Sequence, residues 1–322
     1  MRKTLLLYNP HAGANDGHLE AVQRAEAVLR RAGVETSIAA TLSSAEAGGQ
    51  AKDAIRAGCD TIFACGGDGT ILDVAQGLIG ESAALGLIPL GTANVLAHDL
   101  GIPKDPARAA QAALDAVALR VSVGHVACSS VEGAPLSRHF LSVLGAGLDG
   151  YLFQQLDQHS HAAEKKALGL AAYFLKAFQI WWSYPMSGFS VSTPDFAGSA
   201  GNISCPVTQL LAVRVRDFGN VLRQLAPGAS LLRDDFRLIL FKTSSRWSYL
   251  LYVVQAALGL ERDLTGIELS GATSLRCAVL ANSNPIYIEA DGEFLGQLPA
   301  EISVVPNALT LLVPKDFASR QR

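Results

Sequence analysis

"FACGGDGTILD", residues 63–73, sets three glycines and one aspartate directly behind a short apolar run. The apolar run reads as a buried strand, the glycines as a tight loop, and "TILDVAQGLIG" as the helix that follows. Gly66, Gly67 and Gly69 allow backbone conformations and close approaches that a Cβ would forbid. Amides at the start of such a helix suit the oxygens of a phosphate. Asp68 would repel a phosphate directly. It makes sense where a Mg2+ lies between them, because hard cations take carboxylate and phosphate oxygens together.

The segments on either side fit a parallel sheet. "KTLLLY", "VETSIAAT" and "ALGLIPL" read as further strands, and "HLEAVQRAEAVLRRAG", "AEAGGQAKDAIRAG" and "ANVLAHDLG" as the helices between them. Ligands of such sheets bind beyond the carboxyl ends of the strands. Two more loops fall there: "NPHAG", from Asn9 to Gly13, and "PLGTAN", from Pro89 to Asn94, with the hydroxyl of Thr92. Three such loops in order point to a nucleotide, yet neither a G-x-x-x-x-G-K-[ST] loop nor a G-x-G-x-x-G after the first strand is present. A conventional P-loop or dinucleotide fingerprint is therefore excluded. Asp73, three residues after Thr70, also reads as a capping-box acid.

The texture changes after the helix "PARAAQAALDA". From about Val121, short runs such as "RVSVGHVAC", "FRLILF" and "TSLRCAVL" alternate with turns, which predicts an antiparallel sandwich. Two helices interrupt it, at about residues 165–182 and 247–258. The expected fold is thus α/β plus all-β.

Composition narrows the function. The chain of 322 residues is 49% hydrophobic and 17% charged, which favours a well-buried globular protein. Its net charge of −3 argues against a nucleic-acid binder. Residues 160–250 nevertheless hold ten Lys or Arg against five acids, which reads either as a solvated face or as contact with an anionic membrane. The five cysteines are scattered without a CxxC, so neither a disulfide framework nor a zinc site is indicated. The apolar core of "MRKTLLLYNPHAG" spans about four residues, too short for a secretory leader. No stretch approaches the ~20 apolar residues that span a bilayer. A cytoplasmic protein is expected, touching the inner membrane face at most peripherally.

The loops also resemble a known family. Asn9, Pro10 and Gly13, then GGDGT (Gly66 to Thr70), PLGTAN, the L-G-I-P turn at Leu100 to Pro103, and Asp291-Gly292-Glu293 follow the order of the lipid kinases. That family includes diacylglycerol, ceramide and sphingosine kinases and their bacterial relatives. The similarity runs over nearly the whole chain, down to the final "PNALTLLVP". GGDGT alone is shared with NAD kinases; the distal DGE and the PLGTAN loop narrow the match.

The resemblance implies an NAD kinase-like α/β domain, residues 1–122 completed by 307–322, and a β-sandwich lipid domain, residues 123–306. It implies ATP as phosphoryl donor, Mg2+, and a lipid alcohol as acceptor, diacylglycerol to phosphatidic acid being the leading case. Asn9, Gly66, Gly67, Asp68, Gly69, Thr70 and Thr92 match the family's nucleotide contacts. Thr41 matches another, or is a turn hydroxyl. Asp68 would act through magnesium and water, and Glu293 would accept the hydroxyl proton with Asp291 in support; the alternative for "ADGE" is a surface turn. Asp149, in "GAGLDG", falls where relatives contact the lipid head group, or is a turn aspartate.

Two departures stand out. Leu72 and Asp73 replace the family's usual Asn-Glu, so Asp73 carries the charge on a shorter arm. In "SLLRDDFRL" the glycine of an Asp-Gly pair that helps bind a structural Mg2+ is missing, which leaves Asp234, or its rival Asp235, as the match. The competing functions are an NAD kinase-like soluble kinase and a nucleotide or lipid sensor without turnover. An exposed sheet edge would allow a homodimer.

Overall fold

The computed structural model describes residues 1–10, 17–159, 178–193, 203–218, 225–260, 264–281 and 284–317. Gly13, Lys165 and Lys166, and the expected helix around 165–182 except residues 178–182, lie outside the described residues.

The first third forms a parallel sheet of β1 (Lys3–Tyr8), β2 (Glu35–Ala40), β3 (Thr61–Gly66) and β4 (Ala84–Pro89), in the order β4–β3–β1–β2. Its inner strands are near-continuous apolar runs because both faces are covered. Leu5, Leu7, Ile62 and Ala64 pack with α2 (Ser44–Arg56) and α3 (Asp68–Leu78). Leu6, Phe63 and Cys65 point the other way, against α1 (His18–Arg31) and α5 (Pro106–Leu114). The short α4 (Val95–Leu100) leaves the end of β4.

The rest is antiparallel. β5 (Val117–Ser129), β6 (Pro135–Phe140) and β7 (Val143–Ala146) are followed by α6 (Leu148–His159), β8 (Phe189–Thr193), β9 (Ile203–Val207), β10 (Gln209–Val213) and β11 (Phe236–Phe241). Then come α7 (Arg246–Leu258), β12 (Ile267–Ala272), β13 (Ser274–Val279), β14 (Tyr287–Ala290) and β15 (Glu293–Val313). One layer runs β12–β11–β10–β7–β14–β15; the other runs β9–β8–β13–β15–β5–β6. Phe140, Phe189, Phe236, Leu238 and Ile302 are buried between the layers.

β15 belongs to both layers and to the first sheet. It is 21 residues long, and near its end Thr310 and Leu311 pair in parallel with Ala84 and Leu85 of β4. Pro299 and Pro306 sit where the register of β15 with β5 shifts, between Gln297 and Glu301 and between Val305 and Leu309, so no ladder amide is missed. This strand starts at Glu293 and is anchored in the sheet that carries the glycine turn. Among the described residues no helix is long and apolar enough to cross a membrane.

Candidate active site

Three loops meet at the carboxyl edge of the parallel sheet. Gly67 caps α3, and the amide of Leu90 donates to the carbonyl of Gly66 at 2.9 Å, tying the third loop to the second. The two backbones touch: a Cβ on Gly91 would lie 2.5 Å from the Cα of Gly67. A Cβ on Gly69 would lie 2.8 Å from Oε1 of Glu293. What comes close to the backbone here is thus the protein's own second loop and a distal carboxylate. Asn94, buried and left-handed at φ 50°, closes the third loop by accepting from the Gly91 amide at 3.0 Å and donating to its carbonyl at 2.7 Å. Thr92 stands exposed at that loop's tip. Asn9, behind β1, reaches Oγ1 of Thr70 at 3.4 Å, and the Thr41 amide, behind β2, donates to Tyr8 at 2.8 Å. Asn9, Thr41, Gly66 to Thr70 and Thr92 therefore gather along one edge. Beside them a groove of about 350 Å3 opens between α1 and the third loop, with Arg24 and Lys104 in its lining.

The acids divide by partner. The Asp68 carboxylate lies beside the amides of Val95, Leu96 and Asn94 at the start of α4. Burial pushes its pKa up and those amides pull it back. Among the described residues no three His, Cys, Asp or Glu side chains are grouped to hold a metal. One carboxylate nevertheless fits a nucleotide's Mg2+, which keeps several waters and takes phosphate oxygens for the rest. Asp291 and Gly292 are the two central residues of the turn between β14 and β15, with φ of 50° and 83°, as a two-residue hairpin requires. The stretch "ADGE" thus forms the hairpin from which Glu293 leaves. Asp291 points inward and accepts from the amides of Leu141 at 2.6 Å, Ser142 at 2.8 Å and Val143 at 2.9 Å. Burial raises its pKa to about 6 against those bonds, with Asp68 adding to the rise. Its visible work is to hold the chain that carries β6 into β7.

Glu293 stands at the N-terminal turn of α3, and Arg138 of β6 holds it there. Nη2 of Arg138 is 2.9 Å from Oε2 of Glu293 and 3.1 Å from Oδ1 of Asp73. Asp73 is buried in α3 and takes a further bond from the hydroxyl of Ser44. Burial raises the Asp73 pKa; Ser44 and Arg138 oppose the rise. Arg138 and Ser44 went unnoticed in the sequence. An arginine in an alternating strand and a serine beside a helix cap carry no signal of a site.

Asp149, at the start of α6, accepts from the Tyr249 hydroxyl at 2.7 Å and from Nε2 of Gln209 at 2.8 Å. Burial raises its pKa, and raises that of the neighbouring Glu289 well above the usual range, with Asp149 as the second cause. A Cβ on Gly145 would meet both carboxyls, at 2.8 Å and 3.3 Å.

Asp234 lies far from these groups in its partners: it accepts from the hydroxyl of Ser122. Beside it the guanidinium of Arg214, wholly buried, donates to the carbonyls of Ser122 at 2.9 Å, Arg233 at 3.0 Å and Asp235 at 3.3 Å. Asp235 is paired with Arg233 at 2.6 Å. Convergent carbonyls and a carboxylate are the donors a hard cation would take, but a protein cation already sits among them. The residues present do not fit a structural Mg2+ at Asp234.

The diacylglycerol kinase catalytic domain matches residues 3–126. A diacylglycerol kinase from Bacillus subtilis is 28% identical over 99% of each chain. A Pseudomonas aeruginosa protein named "Probable lipid kinase YegS-like" is 30% identical over 92% of this chain and 97% of its own. Among solved structures, a diacylglycerol kinase from Bacillus anthracis superposes with a TM-score of 0.70 at 19% identity, covering 98% of each chain. Yeast NADH kinase superposes at 0.51 and 10% identity, covering 100% of this chain and 86% of its own; these two likenesses concern the fold. The chain belongs to the diacylglycerol kinase family of lipid kinases, and it is a phosphotransferase with an alcohol group as acceptor.

Proposed function

We propose that the protein transfers the γ-phosphoryl group of ATP to the hydroxyl of a lipid, with diacylglycerol as the leading acceptor and phosphatidic acid as the product. One observation carries this reading: Glu293, 224 residues beyond Gly69 in the chain, lies against that glycine at the mouth of the phosphate-facing loops. A carboxylate so placed can take the proton of an attacking alcohol, while the amides opening α3 face the donor's phosphates. Asn9, Thr41, Gly66 to Thr70 and Thr92 would hold the nucleotide. Asp68 would hold its Mg2+, which supplies neutralisation of phosphate charge when bound. Asp291 fixes the turn from which Glu293 projects. Residues 1–122 with 307–322 would form the nucleotide domain and residues 123–306 the lipid domain.

An aromatic run supports a lipid acceptor. From Phe294, beside Glu293, ring centroids step to Tyr287 at 5.9 Å, to Tyr151 at 6.1 Å and to Tyr184 at 5.2 Å. Tyr184 packs in one cluster with Trp181, which contacts Trp182 and Trp247. Trp182 and Trp247 are 59% and 65% exposed, so the run ends at the surface, where an apolar acceptor could enter from a membrane. Asp149 lies on this route and would meet the head group.

The test incubates purified protein with labelled ATP, Mg2+ and separate vesicles of diacylglycerol, ceramide or sphingosine, with NAD in a parallel reaction. Label in diacylglycerol is expected. Label in NADP and none in lipid would overturn the reading, as would ATP binding without transfer to any acceptor. Glu293→Gln should keep ATP affinity and lose ~10²–10⁴-fold in kcat.

A further inference from the structure

Asp73 stands where the family usually has a glutamate, and with Ser44 and Arg138 it forms a cluster that ends on Glu293. We propose that Arg138 is a positioning residue that fixes the Glu293 carboxylate for proton abstraction, with Asp73 and Ser44 bracing the guanidinium from behind. The inference rests on the reading of Glu293 as proton acceptor.

Both oxygens of Glu293 are located by protein. Oε1 occupies space that only a glycine at position 69 leaves free, and Oε2 is 2.9 Å from Nη2 of Arg138. Gly69 and Asp73 are four residues apart on α3, so one helix face bears both the carboxylate and its brace. The three side chains run outward from the core. Asp73 is 9% exposed, Arg138 26% and Glu293 38%. Asp73 cannot reorient, because Ser44 of α2 holds its other oxygen. Arg138 cannot follow solvent, because Asp73 holds it. A glutamate at the start of a strand, more than a third exposed, would otherwise sample several rotamers. The shorter arm of Asp73 fits this role: it reaches the guanidinium and stops short of Glu293's place.

A misplacement of about 1 Å in a reacting group can cost on the order of 100-fold in rate. Arg138→Gln should therefore lower kcat roughly 10–100-fold while KM for ATP stays within about twofold. Arg138→Lys should recover part of the loss, since the single nitrogen Nη2 makes both contacts and an ammonium keeps that charge while losing the planar head that fixes its place. In a Glu293→Gln background, Arg138→Gln should cost less than about twofold more, because its effect passes through a group already gone. Asp73→Asn, which keeps the Ser44 contact, should give a smaller kcat loss that also vanishes in that background. Losses that multiply between positions 138 and 293 would overturn the inference, as would a rise in KM for ATP that accounts for the Arg138→Gln defect. If Arg138→Gln fails to fold, the Asp73→Asn and Arg138→Lys arms carry the same comparison. Wild-type turnover in Glu293→Gln defeats the proton-acceptor reading and this inference together. Collapse of Glu293→Gln beside a neutral Arg138→Gln defeats the inference alone.

Discussion

Removing the Arg214 side chain tests whether a guanidinium stands where the family resemblance puts a metal. The group is wholly buried, donates to three main-chain carbonyls at 2.9–3.3 Å, and lies 5.9 Å from the centroid of the Phe236 ring. Burial lowers its pKa to about 10, with Asp234 and Asp235 opposing the fall, so it is charged at neutral pH. Arg214→Met keeps much of the volume but leaves the carbonyls of Ser122, Arg233 and Asp235 without that donor. Each buried acceptor left unsatisfied costs ~1–3 kcal/mol, and removing one partner of a buried charge network costs ~3–5 kcal/mol in all. Taking about 4 kcal/mol, and about 2–4 °C per kcal/mol for a chain of this order of size, the midpoint should fall by roughly 10 °C. The assay is thermal unfolding without nucleotide, wild type and variant, each in EDTA and in millimolar Mg2+. Wild type should melt at the same temperature in both. Arg214→Lys should fall in between, because one ammonium cannot span three carbonyls. If wild type loses several degrees in EDTA and regains them with Mg2+, a metal holds this region and the reasoning fails.

Two further perturbations bear on the loops and the surface. Gly91→Ala would drive a Cβ to 2.5 Å from the Cα of Gly67, where only backbone can yield, so it should lower the melting temperature and ATP affinity together. Gly69→Ala meets only the end of the Glu293 side chain, at 2.8 Å, so it should melt near wild type and lose kcat; equal melting of the two variants would refute this distinction. The exposed Trp182 and Trp247, with Leu251, Val254 and Leu258 of α7, should carry the protein to vesicles. Sedimentation with phosphatidylglycerol vesicles should weaken as salt rises and weaken further in a Trp182→Ala, Trp247→Ala double variant. Sedimentation indifferent to salt, lipid charge and both tryptophans would return this face to ordinary solvent.

Local chemistry made much of the fold legible. "TIFACGGDGT" could only be a buried strand, a tight turn and a helix, because a run apolar at every position needs cover on both faces and successive glycines end it. The same logic marked the strands on either side and the loops at their carboxyl ends, and hence Asn9, Thr92 and the glycine turn as neighbours. The order of motifs along the chain marked Glu293 and Asp291. Neither signal reports what lies across space. Asp68 read as a metal-facing acid, and periodicity could not reveal that the amides at the start of α4 also lie beside its carboxylate.

The sequence by itself determined the strand and helix periods, the glycine turns and the identity of the acids, because these follow from burial and backbone freedom within a few residues. Only the tertiary structure decided which partner each acid has. β15 crosses from the sandwich into the parallel sheet, and that one long strand carries Glu293 onto Gly69 and toward Arg138. It also decided that Arg214 occupies the carbonyl cradle beside Asp234. Contacts between residues more than a hundred positions apart depend on the register of whole strands, and register is fixed by the summed packing of two cores rather than by any local run of residues.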